Sequence, residues 1–324
     1  MQILVTGGTG FVGQHLVRAL LERGHRVWML GRYFGSANAL IEAGAFKVQA
    51  DLRDRAAMIA ACAQMDAVYH VGALSAPWGR SADFHAINVA GTEHVTAGCV
   101  RHKVGRLIVV SSPSVLFNGR DQYLLTDAAA YPARFISIYS ATKKLAEDRV
   151  NAAIRRGLPA LILRPKAIFG PGDTTLFPRL IQAARRRRLP QIGAGHNLVD
   201  LTYVGNVVHA LLLALHAPNA VGKTYTITND EHVLLWDVIK MVLQRLDIPA
   251  HLPRLPVPVA MLVAQLMEAR ARLTGVEPLL TRYAVAVLAR TQTYDITAAR
   301  RDLGYTPIVS VAEGLRQTLA GMSG

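Results

Sequence analysis

The stretch Thr6-Gly7-Gly8-Thr9-Gly10-Phe11-Val12-Gly13 decides how this chain is read. The run Gln2-Ile3-Leu4-Val5 before it predicts a strand. After it, Val12, Leu16, Val17, Leu20 and Leu21 share one stripe of a predicted helix that Gly24 closes. The glycines therefore mark a strand-to-helix turn in a βαβ unit. A side chain here would keep backbone N–H groups away from a pyrophosphate, and the helix N-terminus adds partial positive charge. The spacing Gly7-x-x-Gly10-x-x-Gly13 differs from the common G-x-G-x-x-G dinucleotide fingerprint. Its position at the head of the chain, between a clear strand and a clear helix, makes it a strong signal.

Outward from the turn, strand and helix alternate. Strands are expected near residues 2–6, 26–30, 46–50, 67–71, 106–110 and 160–164, and helices near 11–23, 54–64, 84–103 and 137–156. That order predicts an α/β, Rossmann-type doubly wound parallel sheet with helices on both faces. Ligands bind beyond the strand C-termini in such sheets. Strand two ends in Gly31-Arg32, where NAD-binding folds place an acid for the ribose hydroxyls. With no acid and an arginine that can pair with a 2′-phosphate, NADP(H) is preferred over NAD(H). Asp51-Leu52 follows strand three, placed for the adenine. His70-Val71-Gly72-Ala73 ends strand four, with His70 read as a core histidine and Gly72 and Ala73 as a surface for the cofactor. Asn88 lies early in the next helix and suits a backbone hydrogen bond, an ordered water or a structural role.

Strand five delivers Ser111-Ser112-Pro113-Ser114, and Tyr139-Ser140-Ala141-Thr142-Lys143 lies farther on. Tyr139 and Lys143, four apart, share a helix face. An ammonium beside a phenol lowers the phenol's pKa, and a nearby serine can hold a carbonyl. Such a set moves a proton while a hydride moves elsewhere.

Composition narrows the classes. The chain has 324 residues, 51% hydrophobic and 18% charged, enough for one large or two medium domains. Two cysteines, Cys62 and Cys99, argue against a disulfide scaffold and suit a reducing, cytoplasmic setting. A first strand at residue 2 leaves no room for a signal peptide. The apolar run Leu255 to Met267 holds two prolines and falls short of the ~20 residues that span a bilayer. The net charge is +14, part of it in Arg185-Arg186-Arg187-Arg188. These arginines end a predicted helix and read as a solvated basic face. No nucleic-acid motif accompanies them, so no nucleic-acid partner is expected. No metal is expected.

The chain resembles the extended short-chain dehydrogenase/reductase family essentially end to end. The matching motifs are the glycine turn, Asp51-Leu52, Asn88 with Gly91-Thr92, Ser112, Tyr139 with Lys143, and Arg164-Pro165 ahead of Phe169-Gly170-Pro171-Gly172-Asp173. Tyr203-Val204-Gly205-Asn206 and Asp302-Leu303-Gly304-Tyr305-Thr306-Pro307 complete the set. The resemblance implies catalysis by Ser112, Tyr139 and Lys143. It implies cofactor contacts from Gly7, Gly10, Phe11, Val12, Gly13, Arg32, Asp51 and Leu52. Gly72, Ala73, Asn88, Ser111, Tyr139, Lys143, Pro165 and Ile168 would add to these. Residues 1–165, with a return segment about 200–230, form the expected cofactor domain. Residues 166–199 and 231–324 form a smaller, mostly helical substrate domain. A homodimer is expected of such an enzyme.

Within the family, Ala167 and Val199 stand where nucleotide-sugar enzymes often place an asparagine and an arginine. Ser114-Val115-Leu116-Phe117 replaces their usual Val-Tyr-Gly, and Gly205 replaces a common aspartate without a functional account. Ala76-Pro77-Trp78-Gly79, Ser112-Pro113-Ser114-Val115, Arg164-Pro165-Lys166-Ala167-Ile168-Phe169-Gly170 and Thr281-Arg282-Tyr283 are similar instead to the 3β-hydroxysteroid dehydrogenase-like branch. That branch includes sterol-4α-carboxylate 3-dehydrogenases and bacterial 2-alkyl-3-oxoalkanoate reductases. It implies a small hydrophobic 3-oxo or 3-hydroxy substrate, either steroid-like or a long-chain 3-oxo acid, met by Trp78, Ser114, Phe117, Lys166 and Phe169. Lys166 either pairs with a substrate carboxylate or is a surface lysine. Met261, Leu262, Ala264, Gln265 and Glu268 predict a helix that caps an apolar pocket, or otherwise makes weak contact with a membrane surface. The rival activities are a nucleotide-sugar 4-epimerase or dehydratase and, in another class, a non-catalytic NADP-binding regulator.

Overall fold

The computed structural model describes residues 1–321, so the last three residues of the expected substrate domain lie outside it. Seven strands build the main sheet: β1 (Gln2–Thr6), β2 (Arg26–Gly31), β3 (Phe46–Gln49), β4 (Ala67–His70), β5 (Arg106–Val110), β6 (Ala160–Pro165) and β7 (Thr224–Ile227). Their spatial order is β7-β6-β5-β4-β1-β2-β3, and every pairing is parallel. The doubly wound reading is therefore correct. The seventh strand was not among the six expected. It is four residues long, pairs only with β6 at the sheet edge, and returns after a long excursion.

Except in the edge strand β3, which is largely exposed, strand side chains alternate between two buried faces, which is why these strands read as near-continuous apolar runs. Ile3, Val5, Val27 and Met29 pack on Leu16, Val17 and Leu20 of α1 (Phe11–Glu22). Leu4, Leu30, Val68 and Val109 face the other way, toward Val95 and Cys99 of α2 (Gly91–Arg101) and Val150 and Ala153 of α3 (Ile138–Ile154). On the α1 face, Val207, Val208 and Leu211 of α4 (Val204–His216) complete the layer. Cys62 and Cys99 are free and buried.

The helix expected over 84–103 is not uniform. It runs as Ser81–Phe84, a π-helical segment His85–Ala90, and α2. Such wide turns tend to mark functional sites, and this one contains Asn88.

Residues after β6 form a second core around Phe169, Phe177, Trp236, Ile239 and Val285. It includes α5 (Val257–Thr274) and α6 (Arg282–Ala289), which pack on each other. This part is mostly helical and also holds a small four-stranded sheet in the order His232–Leu234, Leu198–Asp200, Gln292–Tyr294, Gln122–Leu125. The last of these strands comes from the first half of the chain and so ties the two units together.

Candidate active site

The glycine turn lies where the strand order reverses, between β1 and β4. Gly7 has φ +67°, and a Cβ on it would lie 2.5 Å from Gly72 Cα. A Cβ on Gly13 would lie 2.1 Å from the Gly7 carbonyl oxygen. Only glycine fits at either position. Gly10 precedes α1 with no side-chain cap, so the helix presents bare backbone N–H groups beside this cradle. Phe11 and Val12 begin the helix that follows.

At the end of β2, Arg32 is exposed and its guanidinium lies 6.0 Å from the Tyr33 ring centre. The missing acid at Gly31 has a steric counterpart, since a Cβ there would meet the Thr9 hydroxyl at 2.5 Å. Asp51 accepts two hydrogen bonds from the Arg53 guanidinium, at 3.0 and 2.6 Å, which hold its carboxyl below the ordinary range. Arg53 is thus a second cation near Arg32 that the sequence reading missed. Leu52 packs against Gly72 and Gly91.

Asn88 clamps this region. Its Oδ1 accepts from Leu74 N at 2.7 Å, and its Nδ2 donates to Leu74 O at 3.1 Å and Thr142 Oγ1 at 3.2 Å. One amide therefore ties the Gly72-Ala73-Leu74 loop to α3, the helix that carries Tyr139 and Lys143. His70 bridges Thr6 and Thr92 at 2.8 and 2.9 Å, and burial lowers its pKa to about 3. It is a neutral core histidine, as read from the sequence.

Ser112 Oγ donates to Ser114 Oγ at 3.0 Å and accepts from Ser114 N at 3.2 Å. The Tyr139 phenol lies beside the hydroxyls of Ser75 and Ser112. The structure therefore brings Ser112, Ser114 and Tyr139 together, and adds Ser75 from the loop after β4. Burial raises the Tyr139 pKa, and the two serines act against that shift. Lys143 is expected to lower the phenol's pKa; in the structure its Nζ donates to Val110 O at 2.7 Å. Burial brings Lys143 itself down to about 8, with Glu147 pulling the other way. Ser111 Oγ is buried without a partner among the described residues. The glycine cradle, the uncapped helix end and this orphaned hydroxyl all fit a bound dinucleotide.

Lys166 is not a surface lysine. It is buried just beyond β6, donates to Gln292 Oε1 at 2.6 Å, and lies 5.6 Å from the Tyr294 ring centre. Burial lowers its pKa to about 8, opposed by Asp200. Gln292 Nε2 and Tyr294 Oη are buried without partners among the described residues. Tyr283, from α6, lies near Ser114 and Tyr139. Pro165 and Ile168 flank Lys166, and Trp78 is half-buried in the loop after β4. Two substrate expectations need correction. Phe117 and Phe169 are fully buried, and Phe169 packs edge-on against Phe177 and Tyr203, so neither ring has surface to offer a ligand.

Helix α3 is held to β6 by a buried ion pair absent from the sequence reading. Arg164 donates to both oxygens of Glu147, at 2.8 and 2.6 Å, and Tyr131 adds a hydrogen bond to Glu147 at 2.9 Å. Glu147 lies one turn beyond Lys143 on α3.

The comparisons agree with this geometry. The model of the 3-beta hydroxysteroid dehydrogenase/isomerase family matches residues 4–257. A 2-alkyl-3-oxoalkanoate reductase of Stenotrophomonas maltophilia is 40% identical and covers 99% of each chain. The mouse decarboxylating sterol-4-alpha-carboxylate 3-dehydrogenase is 34% identical over 97% of this chain and 89% of its own. Among solved structures, MoeE5 in complex with UDP-glucuronic acid and NAD superposes with a TM-score of 0.75, at 26% identity, over 100% of this chain and 99% of its own. A dinucleotide cradle, a serine–tyrosine pair at the sheet's carboxyl edge and a family match over most of the chain lead to one assignment: the chain belongs to the 3-beta hydroxysteroid dehydrogenase/isomerase family, short-chain dehydrogenase/reductases that act on CH–OH groups with a nicotinamide cofactor.

Proposed function

We propose that the chain interconverts a ketone and a secondary alcohol on a hydrophobic 3-oxo or 3-hydroxy acid, with NADP(H) preferred over NAD(H). The observation that carries this is the buried Tyr139 phenol, beside the Ser75 and Ser112 hydroxyls and with its pKa raised by burial. Such a phenol keeps its proton at neutral pH and is poised to give it to a ketone oxygen. Ser112 orients that oxygen, and Ser75 lies beside the phenol. Gly7, Gly10 and Gly13 with the first turn of α1 receive the pyrophosphate, and Ser111 and Lys143 line the nicotinamide end. The cofactor, when bound, supplies or accepts the hydride. Residues 1–165 with the return near 200–230 hold it, and the remainder forms the substrate side. The reading includes a homodimer.

The acid in the substrate is supported by Lys166, Gln292 Nε2 and Tyr294 Oη. These three buried donors gather at one place, and two of them have no partner among the described residues. A carboxylate accepts from several donors at once. The relatives' names are consistent with this, since both an oxoalkanoate and a sterol carboxylate carry one. In a series of 3-oxo acids and their esters at fixed NADPH, activity rises with chain length, and Lys166→Met penalises acids by about tenfold or more over esters. Equal penalties for acid and ester would remove Lys166 from the carboxylate. The MoeE5 likeness keeps a sugar-nucleotide reading in play. Against it, Val199 is a buried core residue, not a cation for a diphosphate. Turnover of UDP-galactose with no lipid accepted would overturn the proposal in that reading's favour.

The cofactor preference rests on Arg32, which forms no ion pair among the described residues. A charge-assisted hydrogen bond to the 2′-phosphate is worth about 1.5–3 kcal/mol, so NADPH should bind roughly tenfold to a hundredfold tighter than NADH. Arg32→Ala erases most of that difference in a fluorescence titration and leaves NADH binding nearly unchanged. Equal or tighter NADH binding by the unmutated protein would contradict the preference.

A further inference from the structure

Helix α5 buries a narrow face. Ala260, Ala264, Glu268 and Ala271 are its buried residues. Glu268 accepts from Arg282 N at 2.8 Å and Arg282 Nε at 2.9 Å, which fixes α5 on α6. The opposite edge is apolar and open. Val259, Leu262, Leu266 and Leu273 are 46%, 58%, 62% and 89% exposed, and the turn that follows adds Val276 and Leu279 at 65% and 72%. One exposed leucine needs no account, but six large apolar side chains on one helix and its following turn do.

Arginines flank this edge. The segment Arg185-Arg186-Arg187-Arg188 ends the helix Phe177–Arg185, which reaches the turn after α5 through Arg179 and Glu277, 3.6 Å apart. Just beyond it, Gln191–Ile192 pairs with Arg254–Leu255, which leads into α5. Segments 177–191 and 251–282 hold nine arginines, two glutamates and no lysine or aspartate. Half of the chain's net charge of +14 is therefore gathered here. Among the described residues, Arg185–Arg188, Arg254, Arg270 and Arg272 form no ion pair. The helix dipole accounts for a cation at Arg185, but its influence fades within a turn and leaves the rest unexplained.

We propose that this face docks on an anionic lipid surface, with Leu262, Leu266 and Leu273 at the acyl boundary and the flanking arginines at the lipid phosphates. The pairing of exposed apolar side chains with unpaired cations selects this occupant. A second copy of the chain would bring the same cations against themselves. The contact is peripheral, since no helix among the described residues is long and apolar enough to cross a membrane. Because α5 rests on α6, and α6 carries Tyr283 to the site, one helix layer separates the docked face from Tyr139. The proposal stands apart from the substrate reading, and vesicle binding tests it without any turnover.

The experiment is sedimentation of the full chain with vesicles of phosphatidylcholine alone and of phosphatidylcholine mixed with phosphatidylglycerol. Partition should be at least about tenfold stronger on the anionic vesicles and should fall as salt is raised. Leu262→Glu/Leu266→Glu should cut it by about tenfold or more. Arg186→Glu/Arg187→Glu should weaken it on anionic vesicles only. All four side chains are exposed, so thermal melts should match the unmutated protein. No partition into anionic vesicles, or partition unchanged in the leucine variant, would overturn the proposal. So would a lipid-free dimer that the leucine variant dissociates, which would give the face to a second copy.

Discussion

Turnover by Tyr139→Phe falls by roughly 10²–10⁴-fold, the usual reach of general acid–base catalysis, while cofactor affinity changes little. Phenylalanine keeps the ring and the packing of α3 and removes only the hydroxyl that lies beside Ser75 and Ser112. Ser112 keeps its hydrogen bonds to Ser114, so the loop after β5 stays in place. What is lost is the proton. Burial raises the phenol's pKa, so the unmutated side chain meets a ketone already protonated. The measurement is steady-state turnover of a 3-oxo substrate beside an NADPH titration. Near-normal turnover would remove Tyr139 from the reaction, and a matched loss of cofactor affinity would make its role structural.

Arg164→Met destabilises the protein by about 3–5 kcal/mol, the usual cost of stripping one partner from a buried ion pair. Arg164 and Glu147 have side-chain exposures of 2% and 1%. With the guanidinium gone, the Glu147 carboxylate keeps only the Tyr131 hydroxyl as a partner in the interior. The double variant Arg164→Met/Glu147→Leu should recover much of the loss, because it removes the stranded charge as well. Denaturant unfolding midpoints of the two variants decide the matter. A single variant within about 1 kcal/mol of the unmutated protein would mean the carboxylate finds water or a proton at little cost. The pair also bears on function. It fixes α3 to β6 one turn beyond Lys143 and two turns beyond Tyr139, so its loss should loosen the site along with the fold.

The sequence by itself determined the features that local geometry dictates. A positive φ at Gly7 and the close approach of Gly13 to Gly7 demand glycine whatever surrounds them, so the turn could be read from residue types alone. Strand and helix periodicities located the first six strands; in all but the exposed edge strand β3, burial on both faces leaves an apolar run that needs no partner to be seen. The four-residue spacing of Tyr139 and Lys143 was likewise visible. Tertiary structure decided what depends on residues far apart in the chain. Lys166 meets Gln292 across 126 positions, so its burial had no local signature. Ser75 and Tyr283 reach the Ser112–Tyr139 group from separate units, and Arg164 meets Glu147 across a strand and a helix. Phe117 and Phe169 looked like pocket residues because their loops follow strand ends, but a loop's position does not say which way a ring turns. Lys143 shows the same limit in its charge. Helical spacing put it beside Tyr139, whereas the carbonyl that holds its ammonium belongs to β5, 33 residues away. Backbone conformation is written in neighbouring residues. Burial, orientation and protonation are set by distant parts of the chain, and only the folded structure brings those together.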